Sequence, residues 1–197
     1  MLRYFPLIAK NAMRNRRRSI LTICSVGASL CLLGVLMAIY HAFFFTPPTP
    51  EQARRLVTRN RISLANAMPV AYRDKIATIN GVRGVMVMQW FGGVYKEPKN
   101  MFARFGTEPE RFFTIMPEIN VPPDQQKAFI ADRTGCIIGK DIATKFNLKV
   151  GDRMTLVGDI FPVTLDFTVR GIFDFTEAND VMYFNVQYLF ESLSAKR

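Results

Sequence analysis

The run Gly135-Cys136-Ile137-Ile138-Gly139-Lys140-Asp141 sets two glycines ahead of a lysine, the ingredients of a loop that cradles phosphate on backbone N–H groups. The glycines stand one residue too close for such a loop, and Asp141 occupies the place where a serine or threonine hydroxyl would hold magnesium. The run is rejected as an ATP site. Asp174, Glu177 and Asp180 crowd one loop and offer carboxylates that could hold calcium, but the loop lacks the glycine and the ligand alternation that calcium needs. It reads as a solvated turn. Glu108 and Glu110 flank Pro109 and suit the start of a helix better than an acid and base pair. Cys24 and Cys31 lie in an apolar run and Cys136 stands alone, so no disulfide and no metal site follow. His41, the only histidine, lies near the end of that run and reads as an interfacial polar residue rather than a ligand. With no nucleophile and base pair and no metal-ligand cluster, the sequence predicts a protein that is not an enzyme, with no cofactor and no metal.

Charge is the other chemistry available. The chain has 197 residues, 26 Lys and Arg against 16 Asp and Glu, and a formal net charge of +10. Hydrophobic residues make up 49% and there are only three cysteines, which excludes a disordered chain and a disulfide-stapled one. Six bases (Arg3, Lys10, Arg14, Arg16, Arg17, Arg18) and no acid lie within residues 1–19, whereas the twenty bases beyond Phe45 face all sixteen acids. Tyr4, Phe5, Leu7, Ile8 and Met13 alternate with the early bases, as in a short helix lying in a lipid headgroup layer. Arg14, Arg16, Arg17 and Arg18 are then the membrane-interface residues, resting on anionic lipid or serving as a docking surface for a cytoplasmic partner. Arg54, Arg55, Arg59 and Arg61 form a second basic run. Its place just beyond an apolar span argues against nucleic acid, and for lipid headgroups or a neighbouring subunit.

The element that must position these charges runs from Ile20 to Phe45, 26 residues without Asp, Glu, Lys or Arg. As a helix rising about 1.5 Å per residue it would be about 39 Å long, enough to cross a bilayer core of about 30 Å. It is longer than the apolar part of a cleaved signal peptide and ends in Phe43-Phe44-Phe45-Thr46-Pro47-Pro48 rather than a small-residue cleavage site, so it reads as an uncleaved anchor. The arginines flank one end and a proline-rich exit the other, which places the amino end in the cytoplasm and the remainder outside the inner membrane. Gly27 and Gly34 with Ser25, Ala28 and Ser29 offer small faces for another helix. The expected organisation is a cytoplasmic basic interfacial helix over 1–19, a transmembrane helix over 20–45, a linker over 46–55 and a periplasmic α+β domain over 56–197.

Within that domain, residues 56–64 alternate as a strand, and Pro69 opens a helix with Tyr72, Ile76 and Ile79 on one face, ended by Asn80-Gly81. A strand over 82–91 forms a hairpin with 101–106, with Gly92-Gly93 as a turn or bulge and a polar tip over 96–100. Trp90, Phe91 and Tyr95 read as core rather than as a partner surface. Helices follow at Pro109, carrying Phe112, Phe113 and Ile115, and after Pro122-Pro123-Asp124, with Ala128, Phe129 and Ile130 as its apolar contacts. A short helix over 140–146 turns inward Ile142, Ala143 and Phe146. Strands are expected over 153–157 and 163–173, the latter alternating Val163, Leu165, Phe167 and Val169 with polar partners. With no repeated βαβ period, the fold class is α+β, in one or two subdomains.

Taken in order, the basic Asn11-Ala12-Met13-Arg14-Asn15-Arg16-Arg17-Arg18-Ser19, the single span and the following domain resemble the permease subunits of MacB-like and FtsX-like ABC transporters. Ile79-Asn80-Gly81-Val82 resembles the family's helix-to-strand turn. The segment from Ile138 to Phe146 followed by Lys149-Val150-Gly151-Asp152 resembles its G-x-x-x-A then V-G-D pattern, and residues 167–173 the strand after it. The resemblance covers the front part of the family's architecture, whose members continue into three further membrane helices. It implies a permease that works with a separate ABC ATPase subunit, as a homodimer or heterodimer, relaying ATP-driven motion to a periplasmic domain for efflux or export. The alternative is a single-pass membrane-anchored accessory or binding protein that uses its outer domain for recognition.

Overall fold

The computed structural model describes residues 14–45, 53–63, 66, 68–175 and 178–195. The expectations that rest on Tyr4, Phe5, Leu7, Ile8 and Met13, on the exit over 46–50, on Leu64 and on Glu177 lie outside the described residues. The chain divides into two compact units, Met1–Arg55 and Leu56–Arg197.

In the first unit, α1 (Arg16–Phe44) is one uninterrupted helix of 29 residues, about 44 Å long at 1.5 Å per residue. It buries none of its residues, and its leucines, isoleucines, valines and phenylalanines are all exposed. Apolar side chains surround the helix, so no stripe is reserved for a protein core, the pattern of a helix that meets an apolar solvent on every side. Thr22 and Ser29 return their hydroxyls to the carbonyls of Arg18 and Ser25, at 2.9 and 3.0 Å. Those bonds satisfy each polar side chain within the helix itself, as hydrocarbon surroundings require.

The second unit is α+β. Its elements are α2 (Ala71–Ala77), β1 (Met88–Trp90), β2 (Gly93–Val94), β3 (Ala103–Thr107), α3 (Pro109–Ile115), α4 (Pro123–Ala131), β4 (Gly135–Gly139), α5 (Lys140–Phe146), β5 (Arg153–Gly158), β6 (Thr164–Phe173), β7 (Val181–Asn185) and α6 (Val186–Ser194). All seven strands join one sheet in the order β1-β3-β7-β4-β6-β5-β2, so a single sheet serves the unit in place of two subdomains. Pairings β3–β7 and β4–β6 are parallel and the others antiparallel.

The two edge strands are β1 and β2, which are consecutive in the chain with only Phe91 and Gly92 between them. The sheet therefore curls until its edges meet. The Phe91 N–H donates to the Arg104 carbonyl at 3.0 Å, and the Gly92 carbonyl accepts from Asp159 N–H at 3.0 Å, so the crossing residues bond to both sides. Glycine is required at the crossing: a Cβ on Gly93 would lie 2.8 Å from the Val157 carbonyl oxygen, and one on Gly92 2.6 Å from the Ile160 side chain.

Each face of the sheet has its own core. On one face Phe91, Ile138, Leu165, Phe167, Met182 and Phe184 pack beneath α5 and α6 through Ile142 and Leu189. On the other, Ile137, Phe173, Val181 and Tyr183 pack beneath α3 and α4 through Phe112 and Phe129. The central strands β4 and β7 are covered on both faces and so carry continuous apolar runs.

The helices expected at Pro109, after Pro122-Pro123 and over 140–146 are present, as are the strands at Arg153 and over 163–173. Phe129 is buried in α4, but Ile130 is exposed and Ala128 half-buried, so Phe129 supplies that helix's core contact. Four expectations need correction. Residues 56–63 form no strand and pair with neither edge strand of the sheet. Locally, the Asn60 side chain accepts from Ile62 N–H at 3.0 Å, a turn that competes with extension. The strand expected from Val82 begins only at Met88, opposite Thr107, because β3 ends there and the chain turns into α3, leaving residues 82–87 nothing to pair with. The α2 helix begins two residues after Pro69 and buries none of its residues, Tyr72 included. Finally, β7 and α6 are absent from the sequence reading, although β7 joins the two halves of the sheet.

Candidate functional site

At the amino end of α1, Arg14, Arg16, Arg17 and Arg18 are all exposed. Asn15 stands at the N-cap without a side-chain capping bond, and the first turn holds no acid. Four cations at a helix amino end oppose the helix dipole, which favours anions there and cations at the carboxyl end. Their placement is therefore not explained by helix stability, and it fits an external anionic surface. At the carboxyl end Tyr40 packs at a tilt against Phe44 at 4.8 Å and edge-on against Phe45 at 5.8 Å, while His41 stacks on Phe45 at 5.3 Å. An aromatic collar with one polar ring suits the boundary between hydrocarbon and water. Gly27 and Gly34 have open space where a side chain would stand, and both lie along the exposed helix.

The residues that could have done other chemistry are engaged structurally. Gly135–Gly139 is the fully buried strand β4, and Lys140 turns away to donate to Asp174 at 2.6 Å. Asp174 also accepts from Asn179 at 3.0 Å, and the two bonds, Lys140 first, hold its carboxyl below the usual carboxylate range. A Cβ on Gly139 would strike the Asn179 carbonyl, so strand and loop are locked together. Burial pushes the Cys136 thiol up, away from a reactive thiolate. Glu108 stands at the N-cap of α3 but makes no capping bond; its carboxylate accepts from Arg73 at 2.6 Å, tying α2 to α3. The Arg73 guanidinium is raised by that bond and by its contact with Asp74. Among the described residues no three His, Cys, Asp or Glu side chains gather into a set able to hold a metal ion.

Sequence reasoning missed Arg104. On β3 it lies on a buried position, 3% exposed, and burial lowers its pKa to about 10. Its guanidinium donates to the carbonyls of Gly93 at 2.7 Å and Asn100 at 3.1 Å and lies 4.0 Å over the Phe102 ring. Asn100 in turn donates to the Tyr95 carbonyl at 3.1 Å, so Arg104 organises the tip over 93–100 as well as the sheet crossing. Phe91 and Tyr95 are core, as expected, and Trp90 is half-buried against Phe105. An open groove of about 360 Å³ runs between residues 82–85 and α3, with Arg83, Glu110 and Arg111 on its walls.

Residues 19–196 match the family model described as the MacB-like periplasmic core domain. Among solved structures, the crystal structure of a domain from a Porphyromonas gingivalis protein assigned as a permease is similar at 18% identity and a TM-score of 0.41. That similarity covers 61% of this chain and 58% of the solved one, so the chain spans less than two thirds of its length. No curated protein matches the chain.

Proposed function

Because this chain belongs to the family of MacB-like periplasmic core domains, we propose that it acts as a permease subunit, or the front part of one, in an ABC transporter. In this reading α1 crosses the inner membrane with Arg14, Arg16, Arg17 and Arg18 at the cytoplasmic face and the Tyr40–Phe45 collar at the outer face. The unit over Leu56–Arg197 then lies in the periplasm. A separate ATPase subunit binds and hydrolyses ATP, in keeping with a chain whose one glycine-lysine run is a buried strand. The helix relays the resulting motion outward, and the outer domain moves substrate or a partner protein for efflux or export. A second permease chain, identical or different, would pack beside α1, none of whose residues is buried. The observation that carries the reading is that the matched residues take in both the membrane-length helix and the outer domain, in that order.

The test is purification of the tagged full chain from its own membranes in mild detergent, with mass spectrometry of what accompanies it. The expected companion is an ABC ATPase, recognised by its phosphate-binding loop sequence, retained in a stoichiometric complex whose ATP hydrolysis changes when the chain is removed. A chain that migrates alone as a single-pass monomer would favour the accessory protein instead.

A further inference from the structure

Leu56, Val57 and Ile62 are 92%, 80% and 82% exposed, so among the described residues these large apolar side chains are left uncovered. Arg59 and Arg61 stand among them, also exposed, and neither enters an ion pair among the described residues. The charge around them is segregated: from Gln52 to Arg73 there are five arginines and no acid, while fifteen of the sixteen acids lie beyond Arg73. A surface segment that leaves leucine, valine and isoleucine bare beside Arg59 and Arg61 is built for an occupant that is apolar at depth and anionic at its face.

We propose that residues 56–62 seat on an anionic phospholipid surface, with Leu56, Val57 and Ile62 entering the acyl boundary and Arg59 and Arg61 meeting lipid phosphates. The proposal rests on the reading that α1 crosses a membrane. On that reading ten residues separate Phe45 from Leu56, a tether of at most about 40 Å over its eleven Cα-to-Cα steps when fully extended, which keeps the segment at high effective concentration near the bilayer. The domain's own sheet does not take the segment, which pairs with none of its strands. A second copy is disfavoured because two acid-free, arginine-bearing segments repel. The consequence is a domain restrained at two places on the membrane plane, the helix and this segment.

The full chain in lipid nanodiscs, where both faces are open to reagents, provides the test. Discs contain either phosphatidylcholine alone or a mixture with phosphatidylglycerol, and proteinase K cleavage within 56–62 is followed by mass spectrometry. Each arginine near an anionic surface contributes about fivefold in binding, so cleavage should slow by about tenfold or more in the anionic discs. An Arg59→Gln/Arg61→Gln chain should lose that protection, and 0.5 M salt, as an added reagent, should weaken it at about a 4 Å screening length. Equal cleavage in both kinds of disc overturns the proposal. So does protection that is the same in zwitterionic discs or rises with protein concentration in detergent, which would assign the segment to a protein surface. A chain that enters neither kind of disc refutes the membrane reading beneath the proposal, and the proposal with it; a chain that enters both and is cleaved equally refutes the lipid contact alone.

Discussion

Replacing Arg104 by methionine tests whether a buried cation can be a fastener. The guanidinium holds two carbonyls, of Gly93 and Asn100, and covers the Phe102 ring. Hydrogen bonds to a charged group contribute about 1.5–3 kcal/mol each, and a desolvated cation over a ring about 1–2 kcal/mol. Opposing them is the cost of keeping the charge out of water, with no carboxylate against it and its Nε without a partner. Burial lowers the folded pKa to about 10, well below the ordinary guanidinium value, so the unfolded chain holds this proton more firmly. The cost is therefore present at all pH below about 10 and fades only as pH climbs above it. Methionine removes charge and cost together but strands two carbonyls at the crossing, each worth about 1–3 kcal/mol when left unsatisfied. The expected net loss is about 2–4 kcal/mol, which for a domain of this size lowers Tm by about 6–15 °C. Emission from Trp90, the only tryptophan, reports it in the detergent-solubilised full chain, because β1 adjoins the crossing. Arg104→Lys keeps the charge and loses the fork, and should fall between the two. A methionine variant as stable as the parent would refute the reasoning and make Arg104 a tolerated liability, as some buried charges are.

Four further outcomes are expected. Asp132 is raised by burial but more than offset by bonds from Arg170 at 2.7 Å and Thr134 at 2.9 Å, which hold it below the usual range. Its contribution is thus present above about pH 4 and lost as pH falls through the lowered folded pKa, so Asp132→Asn should cost about 1 kcal/mol at pH 7 and progressively less in acid below pH 4 by urea midpoint. Gly139→Ala drives a Cβ into the Asn179 backbone and should cost about 3 kcal/mol or more, read by loss of soluble folded domain on thermal unfolding. Asn147 ends α5 at φ 51°, and its N–H bonds back to Ala143 and Thr144; Asn147→Gly should hold or raise Tm, and Asn147→Ala should cost about 1 kcal/mol. Replacing Arg14, Arg16, Arg17 and Arg18 all by Glu should reduce retention of the amino end in the cytoplasm, and unchanged labelling of a terminal tag from either side would refute that.

What the sequence made legible follows from how many faces each element buries. Strand β6 has one face buried and one open through most of its length, so Val163, Leu165, Phe167 and Val169 alternate visibly with polar residues. Strand β7 has Val181 and Tyr183 in one core and Met182 and Phe184 in the other, and a strand buried on both faces shows no alternation to read. Its helix α6 did leave a signal, since Asn185 accepts from Gln187 N–H at 2.9 Å as an N-cap and Val186, Leu189 and Leu193 follow at helical spacing. Residues 56–63 misled in the opposite sense: the same spacing of apolar and polar residues also describes a segment whose Leu56, Val57 and Ile62 stay exposed. Arg104 was illegible because its value depends on carbonyls brought to it by the curl of the sheet, a contact no local pattern encodes. The arginines proposed for the interface stand exposed at the amino end of α1, against the helix dipole.

The curl bears on the proposed relay. Motion delivered by one helix is useful only if the receiving domain moves as a body, and an open sheet can absorb it by sliding or fraying at its edges. Here the edges are the same seven-residue stretch, Met88–Val94, bonded on one side to β3 and on the other to β5. Slippage at either edge would drag Phe91 out of the core, where it is fully buried and packs at 5.8 Å against Phe184 and 6.2 Å against Phe161. Burying a phenylalanine is worth about 1.5–3 kcal/mol, and the register bonds would be lost at the same time. The two deformations an open sheet allows cheaply are thus coupled into one expensive event. A domain built this way yields at surface segments such as α2 and residues 56–63, neither of which has a buried residue, before its sheet yields.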